Sequence, residues 1–134
     1  MDDNNINNIS LAMHRLSRAK QDVSDAELCY QNNRYLVANN RAYYAIFHAI
    51  RSVLALEPID FKRHKDVIAY FNKNYVNTGK FSKIIGRKIA QATQIREDSD
   101  YDDKFIADES KTMTQMNSAK EIVELIEKYI VENL

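Results

Sequence analysis

The sequence predicts an all-α protein, an antiparallel up-and-down bundle of about five helices that forms one domain over residues 1–134. Two glycines and one proline are too few for the many turns of a β-rich fold. Apolar residues recur at alternating steps of three and four along most of the chain, which is the period of an amphipathic helix. A length of 134 residues suits a single domain with its own core.

The first half of the chain contains two long helical patterns. Residues 9–30 carry a continuous apolar stripe and are predicted to form the first helix, which Ser10 or an upstream asparagine would cap. The turn Gln31-Asn32-Asn33 follows. The second helix is predicted over residues 34–57 and ends at Glu57-Pro58, because the residue before a proline is disfavoured in the helical region.

The second half is predicted to contain three further helices. The third covers residues 64–76 and ends at Asn77-Thr78-Gly79, since glycine is common just after a helix. The fourth covers residues 81–97. An acidic loop is predicted over residues 97–103, and the last helix covers residues 108–131.

The second helix is apolar over most of its circumference, which predicts a buried position at the centre of the bundle or of a dimer. One sector differs from the rest, and it holds Arg41, Tyr44, Ala45, His48, Ser52 and Ala55. Its small residues are expected to let another chain approach closely. Arg41 and His48 are two helical turns apart and point in nearly the same direction.

Charge and cysteine content restrict the function only weakly. The chain has 19 lysines and arginines and 19 aspartates and glutamates, so its net charge argues neither for nor against nucleic-acid binding. A single cysteine, Cys29, cannot form an intrachain disulfide, which suits a reducing cytosol. The polar N-terminus does not resemble a secretory signal, and no apolar run predicts a membrane span. A cytoplasmic location is therefore expected.

Arg41 and His48 are the candidate catalytic residues. Histidine can act as an acid or a base near neutral pH, and the planar guanidinium of arginine binds phosphate through two donors. A lone Arg–His pair on a helix is also a common surface or core feature. The three histidines lack zinc-type spacing with Cys29 or the carboxylates, and the two glycines cannot build a phosphate loop. No metal and no cofactor are expected.

Three segments of the sequence resemble a known family. Residues 40–49 read NRAYYAIFHA, which resembles the signature of HEPN domains, the higher eukaryote and prokaryote nucleotide-binding domains. In that signature an arginine precedes a histidine by a short spacer. Residues 61–65 (FKRHK) resemble the family's opening of the next helix, and residues 96–102 (REDSDYD) resemble its segment before the last helix. The likeness covers essentially the whole chain, and it is greatest for short stand-alone prokaryotic members.

This resemblance implies a homodimer in which the Arg–His helices face each other. It also implies a metal-independent endoribonuclease, acting on single-stranded RNA as the toxin of a toxin–antitoxin pair. Arg41 and His48 of both subunits would then form one composite site at the dimer cleft. A minimal nucleotidyltransferase, encoded nearby, would be the antitoxin partner.

Six further residues are expected to support catalysis or bind RNA, namely Asn40, Tyr44, Lys62, Arg63, His64 and Lys65. Asn40 and Tyr44 could instead be surface and core residues, and the basic cluster could be a solvated helix start. Part of the family carries a tyrosine two residues after the histidine, to which the partner attaches AMP. Here that residue is Ile50. The alternative reading is a non-catalytic HEPN subunit that binds a nucleotide or docks onto a nucleotidyltransferase.

Overall fold

A computed structural model describes residues 3–134, and over that range it confirms an all-α bundle without strands. Its five helices are α1 (Asp3–Gln31), α2 (Tyr35–Ala55), α3 (His64–Phe71), α4 (Lys83–Tyr101) and α5 (Glu109–Glu132). Helix α3 continues directly into a π-helical segment, Asn72–Val76.

Helix α2 lies at the centre of the bundle, as its apolar circumference predicts. It contacts each of the other four α-helices. Ile46, Ile50, Val53 and Leu54 are at most 2% exposed, and they pack in one core with isoleucines of α5. Burying a side chain of this size contributes about 1.5–3 kcal/mol, so α2 holds much of the fold's stability.

Two helices are longer than the sequence predicted, because polar residues extend them. Helix α1 starts at Asp3 rather than at residue 9, so Ser10 lies inside it. An acidic residue in the first turn is favourable at the positive end of the helix dipole. Helix α4 continues to Tyr101, through most of the predicted acidic loop. There Arg96 pairs with Asp100 one turn later at 3.0 Å, which stabilises the helical conformation.

The predicted third helix changes its hydrogen-bonding geometry near its end, but it ends where the sequence predicted. Its last five residues, Asn72–Val76, adopt π-helical rather than α-helical geometry. Gly79 follows with a φ of +85°, a left-handed conformation that glycine adopts without steric strain. The start of α5 is also well defined, because the Asp108 side chain accepts a hydrogen bond from the Lys111 backbone N–H at 2.8 Å.

Candidate functional site

Two side chains of α2, Arg41 and His48, meet the same carboxylate on α1. Arg41 Nη1 donates to Asp22 Oδ1 at 3.2 Å. His48 Nε2 lies 3.8 Å from Asp22 Oδ2. The side chains of Arg41 and His48 are 37% and 15% exposed, whereas that of Asp22 is 7% exposed. One buried aspartate therefore joins the candidate catalytic residues, and both remain accessible from solvent.

Asp22 was not among the residues expected from the sequence. Burial raises its pKa, and the positive charges of Arg41 and Arg18 act in the opposite direction. Its Oδ2 atom has no hydrogen-bond partner within residues 3–134. A buried carboxylate without full hydrogen bonding is unfavourable, and such groups cluster at functional sites. The signal in the sequence was an aspartate on the apolar face of α1, three residues after Ala19.

His48 is neutral near pH 7. Burial is the largest influence on its pKa, and with the positive charges of Arg18, Arg51 and Arg41 it lowers that pKa to about 4. A neutral imidazole has a free nitrogen lone pair, so His48 can accept a proton.

Tyr44 forms an aromatic surface beside the two candidates. Its ring stacks against His48, with the ring centroids 6.1 Å apart. Two guanidiniums lie over the same ring, Arg41 at 5.0 Å and Arg96 at 4.7 Å from the centroid. These distances fall within the range of cation–π attraction. Tyr44 is therefore part of the cluster, and Arg96 of α4 joins it. Asp100 pairs with Arg96 at 3.0 Å.

Of the basic residues 62–65 at the start of α3, the structure brings only His64 to this cluster. Its imidazole stacks on Phe47 with a centroid distance of 3.9 Å, and it meets Tyr44 edge-on at 6.0 Å. Lys62 and Lys65 are exposed and make no ion pair within the described chain. Arg63, the residue just before α3, is also exposed and pairs with Asp66 of that helix at 2.8 Å.

Asn40 is the remaining residue of the expected set. It is half-buried on α2, and its side chain has no hydrogen bond or ion pair within residues 3–134. Asn40 is therefore adjacent to Arg41 in the sequence, but within that range its side chain makes no hydrogen bond that would orient Arg41 or His48.

The small residues of α2 do not form an open surface for another chain. Ala45 and Ser52 are 0% exposed and Ala55 is 2% exposed within the single chain. Ala45 lies one turn after Arg41 and one turn before His48, on the side that faces Asp22 of α1. The expectation that a second chain packs on these residues is therefore wrong, since the bundle itself covers them. The sequence shows that the residues are small, but it does not show which helix packs on them.

The described part of the chain contains neither a metal-binding cluster nor a membrane-spanning helix. No three histidine, cysteine, aspartate or glutamate side chains converge within residues 3–134. None of the helices over that range combines the length and hydropathy needed to cross a bilayer.

Comparison with known proteins identifies a family and several relatives. The profile of the HEPN domain matches residues 12–129. A "UPF0332 protein" of Thermotoga maritima is 32% identical over 113 residues, covering 84% of this chain and 86% of that protein. A protein of Methanocaldococcus jannaschii named "Putative toxin MJ0605" is 33% identical over 117 residues, covering 87% of this chain and 86% of the relative.

Proposed function

We propose that this chain, which belongs to the HEPN domain family, cleaves single-stranded RNA without a metal ion and acts as the toxin of a toxin–antitoxin pair. The observation that carries the proposal is the accessible pair of Arg41 and His48 on one buried carboxylate, Asp22. The name of the Methanocaldococcus relative supports the toxin assignment.

Cleavage would use the 2′-hydroxyl of the RNA as the nucleophile. His48 is neutral near pH 7 and would remove the hydroxyl proton as general base. Arg41 would bind the phosphate and stabilise the negative charge that grows on its oxygens. Asp22 would hold Arg41 in place through its hydrogen bond, and its second oxygen lies 3.8 Å from His48 Nε2. The products would be a 2′,3′-cyclic phosphate and a free 5′-hydroxyl.

RNA bases can stack on the aromatic surface beside this pair. The Arg41 and Arg96 guanidiniums lie over the Tyr44 ring, so planar cations and an aromatic group are presented together. Aromatic and cationic groups together bind single-stranded nucleic acid, because bases stack and phosphates are neutralised. The exposed Lys62 and Lys65 would add charge at the rim. This local arrangement explains how a protein of zero net charge could bind RNA.

The homodimer and the nucleotidyltransferase antitoxin are part of the proposal through family resemblance. The small-residue stripe that first suggested a partner contact is buried within the chain. Sedimentation of the purified protein, alone and mixed with the nucleotidyltransferase proposed as its antitoxin, would test both associations.

The test of the nuclease is cleavage of end-labelled single-stranded RNA in EDTA by the wild type, Arg41→Gln and His48→Gln. We expect both variants to lose about 100-fold or more in rate, the usual effect of removing a proton-transfer or charge-stabilising group. His14→Gln and Arg87→Gln are the matched controls, since both residues are exposed and distant in sequence from the pair. Replacing the 2′-hydroxyl by hydrogen should abolish cleavage.

Unchanged cleavage in both site variants would refute the assignment. Growth arrest on expression in cells is a second readout. Arrest that requires His48 supports the toxin, whereas harmless expression with nucleotide binding by the purified protein supports the non-catalytic HEPN subunit.

A further inference from the structure

The cluster contains a second histidine, His64, which comes from a different helix. His48 and His64 both face the Phe47 ring, at centroid distances of 5.9 Å and 3.9 Å, so the two imidazoles lie within about 10 Å of each other. Tyr44 touches both of them, at 6.1 Å and 6.0 Å. We propose that His64 is the general acid of the cleavage reaction, so that one chain holds both the base and the acid. This inference rests on the nuclease function proposed above.

The His64 ring is held in one orientation with a nitrogen left free. Its face stacks on Phe47. Its Nδ1 atom lies 3.1 Å from the Tyr43 hydroxyl. Its Nε2 atom has no hydrogen bond within residues 3–134, and the residue is exposed. A fixed ring with one free, accessible nitrogen is the geometry that a proton donor to substrate requires.

The Tyr43 hydroxyl can support both protonation states of His64. Burial raises the pKa of Tyr43 to about 12, so its hydroxyl keeps its proton. That hydroxyl can donate to a neutral Nδ1 or accept from a protonated Nδ1–H. The contact is therefore preserved when Nε2 gives up its proton. This differs from His48, whose neighbour on α1 is a carboxylate.

Charge around His64 favours its release of a proton. Burial and the positive charges of Arg96 and Arg51 lower the pKa of His64, which makes its imidazolium a stronger acid. A phosphate bound on Arg41 would place negative charge nearby and favour the protonated form before the reaction. The same group can then transfer its proton when the phosphorus–oxygen bond breaks.

The reaction balances with two histidines of one chain. The 2′-oxygen bonds to phosphorus, and its proton passes to the His48 imidazole. The bond between phosphorus and the 5′-oxygen breaks, and that oxygen takes the proton from His64 Nε2. Nothing is oxidised or reduced, and exchange with water restores both histidines. A second subunit is then not required to supply the acid.

The test replaces the 5′-oxygen at the cleaved bond by sulfur, because a thiolate leaves without needing a proton. Wild type, His64→Gln and His48→Gln are compared on an RNA that the wild type cleaves and on its 5′-sulfur analogue. We expect His64→Gln to lose about 100-fold or more on the oxygen substrate and less than about tenfold on the sulfur substrate. His48→Gln should lose activity on both. His14→Gln, an exposed histidine of α1, should match the wild type.

Two results would overturn the inference about His64. One is full activity of His64→Gln on the oxygen substrate. The other is an equal loss on both substrates, which indicates a structural role. In either case wild-type cleavage that needs His48 would leave the nuclease proposal intact. If the wild type cleaves no single-stranded RNA, the nuclease proposal itself fails.

Discussion

The half-buried His48 makes the stability of the protein depend on pH, and the direction and size of this effect follow from its pKa. Its pKa in the folded chain is about 4, compared with 6.5 for a free imidazole. The unfolded chain therefore binds this proton more readily, and stability is lost as pH falls below about 6.5. For that pair of values the linkage relation gives a loss of about 2 kcal/mol at about pH 5 and about 3 kcal/mol at about pH 4.

Urea unfolding of wild type and His48→Gln at about pH 7.5 and about pH 5 measures this effect. Other titrating groups are common to both proteins and largely cancel in the comparison. We expect the wild type to lose about 2 kcal/mol more than the variant on acidification. His14→Gln should behave like the wild type, because that histidine is exposed.

An equal loss in wild type and His48→Gln would show that the imidazole is as well solvated in the folded chain as in the unfolded one. The assignment of His48 as a neutral base would then lose its physical basis. Direct observation of the imidazole carbon signals during an NMR titration would give the same answer without unfolding the protein.

Two further substitutions separate the site from the core. Asp22→Asn should raise the thermal midpoint of unfolding near pH 7, because burial disfavours the ionised carboxylate. The same substitution should lower the rate of RNA cleavage. Calorimetry measures the midpoint, and a lower value in the variant would show that the Asp22 charge is stabilising. Ile50→Ala should lower the free energy of unfolding by about 2–5 kcal/mol, since Ile50 is 0% exposed. Leu28→Ala, at a residue 60% exposed, should change it by less than about 0.5 kcal/mol in the same urea titration.

The helices and the central position of α2 could be predicted because buried residues of a helix recur in the sequence with the helical period. Ile46, Ile50 and Val53 repeat that period and are all buried. The ends of α1 and α4 could not be predicted in this way. The segments from Asp3 and up to Tyr101 are polar, and periodicity of apolar residues carries no information about them.

The candidate site was only partly visible in the sequence. Arg41, His48 and Tyr44 lie on one helix, so the helical repeat alone brings them together. Asp22 and Arg96 come from α1 and α4, and nothing in one sequence states which face of those helices meets α2. The small residues of α2 showed the same limit, because they are buried within the chain itself.

Ala45 is buried on α2 between Arg41 and His48, so the size of its side chain affects a polar cluster with which it makes no hydrogen bond. Aspartate has a short side chain, so it can reach both a guanidinium and an imidazole on the next helix only where the two backbones come close. Ala45 lies on α2 between those two partners and is 0% exposed, and its methyl group is small enough for such a close approach. A bulkier residue there would act as a spacer: it would push the carboxylate out of reach of both partners at once, while every polar residue of the site kept its identity.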